Sequence, residues 1–151
     1  GQIEQAVQGL GISLAQISEA AVVLTGAGHA AAVMSPSVTE RALARSNALN
    51  AHLLQKARTS GAIAYLASPV TGGGVIVPRI QQLFLLALAQ GHTEPSAWAD
   101  AAWQVLRTVG ERMLKDGKAL ESADDNIAEL SSQAQVFSEK QLPILRALQI
   151  A

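Results

Sequence analysis

Cysteine is absent from these 151 residues, which excludes disulfides, thiolate metal sites and cysteine nucleophiles. Aromatic residues are scarce, at 3% of the chain, so a β-sandwich core, which draws on aromatic and β-branched side chains, is not expected. Charged residues make up only 15% and sum to a net charge of −1. With no basic excess, binding to nucleic acid has no electrostatic support. No apolar run is long and continuous enough to cross a bilayer. The most apolar stretch, residues 61–90, has Arg79 as its one charge, but Pro69, Gly72, Gly73, Gly74 and Pro78 interrupt it. The start has no basic region followed by an apolar core, so no signal peptide is read there, and an initial Gly1 fits an excised domain, a processed product or a tag remnant. No compartment follows from this.

What the chain does have is alanine and leucine, 28 and 19 residues respectively, the two types at the head of the helix-propensity scale. They fall on a seven-residue beat at both ends. Ile3, Val7, Leu10, Leu14, Ile17, Ala21 and Leu24 alternate spacings of four and three. Ala102, Leu106, Val109, Met113, Asp116, Leu120, Ala123, Ile127, Leu130, Ala134 and Phe137 keep the same beat. Such a repeat predicts long helices with a narrow buried seam.

The spacing predicts a first helix over 2–34, whose glycines at 9, 11, 26 and 28 suggest close helix contacts. Pro36 breaks it, and Ser37 with Glu40 reads as a capping box opening a second helix over 38–67. Arg41, Arg45, Lys56 and Arg58 make that helix cationic, with the acidic stretch from Glu121 to Glu129 as its expected neighbour. Thr71 to Gly74 reads as a loose connection, and Val75 to Val77 as extended or a tight turn. Pro78 opens a third helix that stops at Gly91. A last long helix, capped by Thr93 with Pro95 and Ser96 in its first turn, runs to Phe137, with any break expected at Asp116 and Gly117. Pro143 sets off a short helix over 144–150. The predicted fold is therefore all-α: one domain over 1–151, an elongated, mainly antiparallel bundle of four principal helices with heptad-like seams, plus a short C-terminal helix.

Candidate chemistry is thin. His29, His52 and His92 are not at metal-ligand spacing, and the paired Glu-x-x-His motifs of a carboxylate-bridged di-iron bundle are missing, so no metal and no cofactor is expected. Gly72 to Gly74 lacks the Gly-Lys-Ser/Thr end of a phosphate loop, and no Gly-x-Ser-x-Gly elbow is present. His52 lies mid-helix in Ala51-His52-Leu53-Leu54-Gln55-Lys56. Over those six residues the segment is similar to histidine phosphotransfer domains, helical bundles with an exposed phosphoacceptor histidine followed by a lysine and a small residue. It departs from them in that Lys56 comes one position late and the next glycine, Gly61, too far on. The resemblance implies His52 as phosphoacceptor.

The third helix reads Leu83-Phe84-Leu85-Leu86-Ala87-Leu88, apolar on every side, and such a helix is buried in a core, an interface or a membrane. Leu83, Phe84, Leu85, Leu86 and Leu88 are therefore candidate interface or lipid-contact residues, with the core as the favoured location. From Gln5 to Thr39 the only formal charge is Glu19. A stretch so poor in charge is central in its own bundle or covered by another chain. The functional expectation is a non-enzymatic structural or interaction module that binds a helical partner or forms a homo-oligomer through uncharged helical faces, without nucleic acid. The alternatives are a membrane- or lipid-engaging protein that uses 61–90, and a phosphotransfer module that uses His52.

Overall fold

The computed structural model describes residues 2–151. It is mostly helical, 59% of the chain, with two small two-stranded sheets, so the all-α class holds in its coarse form. Contacts divide the chain into two compact units, 1–33 and Met34–Ala151.

The first unit holds α1 (Gln2–Ala6) and α2 (Leu14–Gly26). The continuous helix expected over 2–34 is not formed. Gly9 and Gly11 have φ of +93° and +70°, left-handed values that end a helix and that glycine adopts without a steric penalty. Ser13 then restarts it with a capping box. Its hydroxyl accepts the Gln16 N–H at 3.3 Å, and its own N–H donates to Gln16 Oε1 at 2.9 Å. At the other end Gly28, also at positive φ, lets the His29 N–H close on the Leu24 carbonyl at 2.8 Å, the usual wrap of a glycine-terminated helix. A Cβ placed on Gly9, Gly11, Gly26 or Gly28 would meet nothing within 4 Å. These glycines therefore serve turns and ends, not the close helix packing expected of them.

The second unit opens with α3 (Pro36–Lys56). Its N-cap is Ser35, not Ser37, because Pro36 takes the first helical position and holds Ser35 extended (φ −63°, ψ 150°). The helix stops eleven residues before 67. Its last carbonyls are taken by a side chain from elsewhere: Arg79 donates from Nε to Ala57 O at 2.7 Å and from Nη2 to Arg58 O at 3.2 Å, and also pairs with Glu111. The chain then forms a hairpin of β1 (Tyr65–Ser68) and β2 (Gly73–Ile76), with Leu66 opposite Val75 and Ala67 opposite Gly74. Val75 and Ile76 are thus extended, and the glycines read as a loose connection lie largely within a strand.

Helix α4 (Arg79–Ala89) follows Pro78 and ends before Gly91, close to its predicted span. Helix α5 (Pro95–Thr108) ends where Gly110 turns left-handed and the Glu111 N–H reaches back to Leu106 O at 2.9 Å. The long final helix is thus cut into α5 and α6 (Ala123–Val136) by a second hairpin, β3 (Leu114–Lys115) and β4 (Lys118–Ala119). Its turn is Asp116-Gly117, with φ of +51° and +77°, the two positive values of a type I′ turn. The break falls at the residues where one was expected, but it is a hairpin and not a kink. One π turn (Phe137–Gln141) joins α6 to α7 (Leu142–Ala147), so Pro143 does not separate a terminal helix. Leu142 N–H reaches five residues back to Phe137 O, and this widened turn admits the proline ring.

The core of the second unit is built where α4, α5 and α6 meet. Phe137 sits between two aromatic rings, its centroid 5.6 Å from that of Phe84 and 6.1 Å from that of Trp98, which it meets edge-on. On α5, Trp98, Ala102 and Leu106 form one buried stripe with Ala99 and Trp103 beside it. Leu130 and Ala134 of α6 face it. The expected pairing of the cationic α3 with the acidic stretch is not made: Glu121 pairs with Arg112, and Glu129 with Lys115 at 3.7 Å.

Candidate functional site

Buried polar side chains are where chemistry would hide, and in the second unit each has a structural task. Asn50 of α3 mimics a neighbouring strand for β1. It accepts the Ala67 N–H at 2.7 Å and donates to the Ala67 carbonyl at 2.9 Å. Ser68 donates to Leu148 O at 2.8 Å and accepts from Thr71 N–H, tying the hairpin to the end of α7. Gln82 donates from Nε2 to Ile63 O and Val77 O, both at 2.8 Å, while its buried Oε1 has no partner. Asn126 accepts the Met113 N–H at 2.7 Å and donates to Leu120 O and Ser122 O, holding both ends of the β3–β4 hairpin on α6. The amides thus satisfy irregular backbone against regular helices, as buried backbone groups require.

The three histidines lie on three different segments. His52 is exposed on α3, His29 lies in the turn after α2, and His92 follows α4, where its carbonyl accepts the Trp98 indole N–H at 2.7 Å. Among the described residues, no group of three or more His, Asp or Glu side chains is arranged to hold a metal ion. Leu83, Phe84, Leu85 and Leu86 are all buried, and Leu88 is half-buried at the edge of the same core. They occupy the core position favoured for an all-round apolar helix. Among the described residues, no helix is long and apolar enough to cross a membrane.

Two surfaces remain. The first is α2. None of its 13 residues is buried, Leu14 and Val22 are 62% and 72% exposed, and Glu19 is its single charge. The sequence pointed to this helix through its poverty in charge, although it placed it inside a much longer one. The second surface lies wholly within the second unit and was not anticipated. Leu43, Asn47, Asn50 and Leu54 recur at helical spacing along α3 and form one wall of a groove of about 500 Å³. Leu85, Leu88 and Ala89 at the end of α4 form another, and Arg146, Gln149 and Ile150 close it. Its residues come from three distant segments, so no local motif announces it. The one sequence-level signal is the pair Asn47 and Asn50 between Leu43 and Leu54 on one face of α3.

No family model matches this sequence, and no solved structure matches it. The chain is similar to an uncharacterized protein of the cyanobacterium Synechocystis sp., with 31% identity over 151 residues. That match takes in all of the chain but only 29% of the relative's length.

Proposed function

We propose that this chain is a non-enzymatic interaction module that associates through α2, with a second copy of itself as the partner. The observation that carries this reading is a 13-residue helix with no buried residue and one charge. Leu14, Val22, Val23 and Leu24 all stand exposed on it, and large exposed apolar surfaces mark interfaces. In the assembly, Leu14, Ile17, Ala21 and Leu24, spaced three, four and three, form the heptad-like seam against the partner helix.

The energetics are adequate. Leu14, Ile17 and Leu24 in a symmetric pair present six large side chains on the seam. At about 1.5–3 kcal/mol each when fully covered, they supply on the order of 13 kcal/mol. Association costs about 4–15 kcal/mol, and at the low end of that range the remainder reaches the roughly 8 kcal/mol of a micromolar dimer. A lipid surface fits α2 less well, because interfacial helices carry Lys and Arg on a polar face and α2 has neither. The non-enzymatic part of the reading rests on the buried polar groups, whose hydrogen bonds go to backbone.

Light scattering on the full chain at micromolar concentration tests this. The expected mass is that of a dimer or larger, and Leu14→Asp is expected to return the chain to a monomer with its circular dichroism unchanged. A monomer before any substitution, or an assembly indifferent to Leu14→Asp, would overturn the reading.

A further inference from the structure

The groove on the second unit joins an apolar wall to a few solvent-exposed polar side chains. Its apolar surface comes from Leu43, Leu54, Leu85, Leu88 and Ile150, and its volume of about 500 Å³ lies in the range of small-molecule pockets. Of the charged side chains, Arg146 alone lines it, and among the described residues Arg146 makes no ion pair and no side-chain hydrogen bond. Asn47 and Gln149, also on the lining, likewise make no side-chain hydrogen bond. Asn50 differs, since both ends of its amide are held by Ala67.

Gln149 adds a second unusual feature. It sits at φ +55°, with its N–H on Arg146 O at 3.0 Å and the Ile150 N–H on Leu145 O at 2.9 Å. That is the helix-ending position that normally takes glycine. Here it carries a side chain with two donors beside the groove, next to a guanidinium with five. Spare donors and one unpaired cation at an apolar cleft are complementary to one kind of molecule: an alkyl chain that ends in an anion. We propose that this groove binds a free medium-chain carboxylic acid, with the alkyl chain along the leucines of α3 and α4 and the carboxylate on Arg146, assisted by Asn47 and Gln149. The site lies entirely within Met34–Ala151 and is independent of the association proposed for α2.

Titration calorimetry on the full chain with octanoate, octanol and octyltrimethylammonium tests the proposal, with amide chemical shifts to locate the bound ligand. Octanoate is expected to bind saturably and to shift the Leu88 and Ile150 amides, with the alcohol and the cation weaker by about tenfold or more, as the loss of a charge-assisted pair implies. Arg146→Gln should weaken octanoate by about the same factor and leave octanol unchanged. Ala89→Trp, at an exposed lining position, should fill the groove and abolish binding, while both variants keep the wild-type melting curve. Absence of saturable octanoate binding would overturn the proposal. So would octanoate affinity unchanged in Arg146→Gln, or shifts confined to amides outside the groove.

Discussion

Removing the Asn126 side chain tests whether one amide holds the β3–β4 hairpin to the core. Asn126 is fully buried and makes three side-chain hydrogen bonds. Asn126→Ala deletes all three, at about 0.5–1.5 kcal/mol each, and leaves the buried Met113 N–H without its partner, a further cost of about 1–3 kcal/mol. Ser122 O keeps the Asn126 backbone N–H at 3.3 Å, so one acceptor is only half deprived. The net destabilisation should be about 3–5 kcal/mol. With a urea m-value near 2 kcal/mol/M, the unfolding midpoint should fall by about 1.5–2.5 M, followed by the fluorescence of Trp98 and Trp103. The Met113 amide should resist hydrogen exchange in the parent, where Asn126 Oδ1 accepts it, and exchange rapidly in the variant. Asn126→Asp sharpens the test. Its acceptor still serves Met113, but at neutral pH a buried carboxylate would face the carbonyls of Leu120 and Ser122. Burial without a cation raises a carboxyl pKa in the folded state above its unfolded value. The variant's stability is therefore fully present below the unfolded pKa and is lost as pH rises through the folded one. Its deficit against the parent at matched pH should shrink on acidification. A midpoint shift under about 0.5 M for Asn126→Ala, or a deficit for Asn126→Asp independent of pH, would refute this role.

Three further substitutions separate the units and the core. Leu14→Asp and Leu106→Asp occupy equivalent places on the sequence beat, yet Leu14 is exposed and Leu106 is 2% exposed. Leu106→Asp should unfold Met34–Ala151, since it buries an unpaired charge, whereas Leu14→Asp should leave its urea transition unmoved. Phe84→Ala removes a fully buried ring packed at a tilt against Phe137, and should cost about 3–5 kcal/mol in chemical denaturation without conferring or removing affinity for liposomes.

The helices legible in the sequence were those with unambiguous ends. Helix α4 has Pro78 before it, Gly91 after it and apolar residues on all sides, and it forms close to its predicted span. The final long helix failed because periodicity is blind to what lies between its marks. Ala102 and Leu106 are core residues of α5, and Leu130, Ala134 and Phe137 are core residues of α6 and the π turn. Met113 and Leu120 flank the hairpin between them, and they happen to keep phase while the Leu120 N–H bonds to Met113 O at 2.9 Å. Asp116-Gly117 was the available signal, since that dipeptide between short extended segments favours a two-residue hairpin turn. The β1–β2 hairpin was hidden for another reason. Its second strand begins with two glycines, which are depleted in strands, and its partner continues an alanine-rich run from α3. What holds β1 in place is Asn50, 17 residues away in sequence, and no local propensity encodes that contact.

The groove escaped notice for the same reason as the hairpins: its residues are brought together by chain reversals that local pattern does not specify. The α2 surface was half legible, and the half that was missed changes its meaning. Charge poverty over residues 5–39 predicted a covered helix of some 30 residues. The helix that forms has 13, because Gly9 and Gly11 end α1 and Gly28 ends α2. At 1.5 Å per residue it is about 20 Å long, against roughly 30 Å of bilayer hydrocarbon. It is thus too short to span a membrane, and it leaves Leu14, Val22, Val23 and Leu24 exposed. Within a dimer, the same length gives almost four turns of seam, with Leu14, Ile17, Ala21 and Leu24 at contact positions, which matches the small, uncharged interface proposed for it.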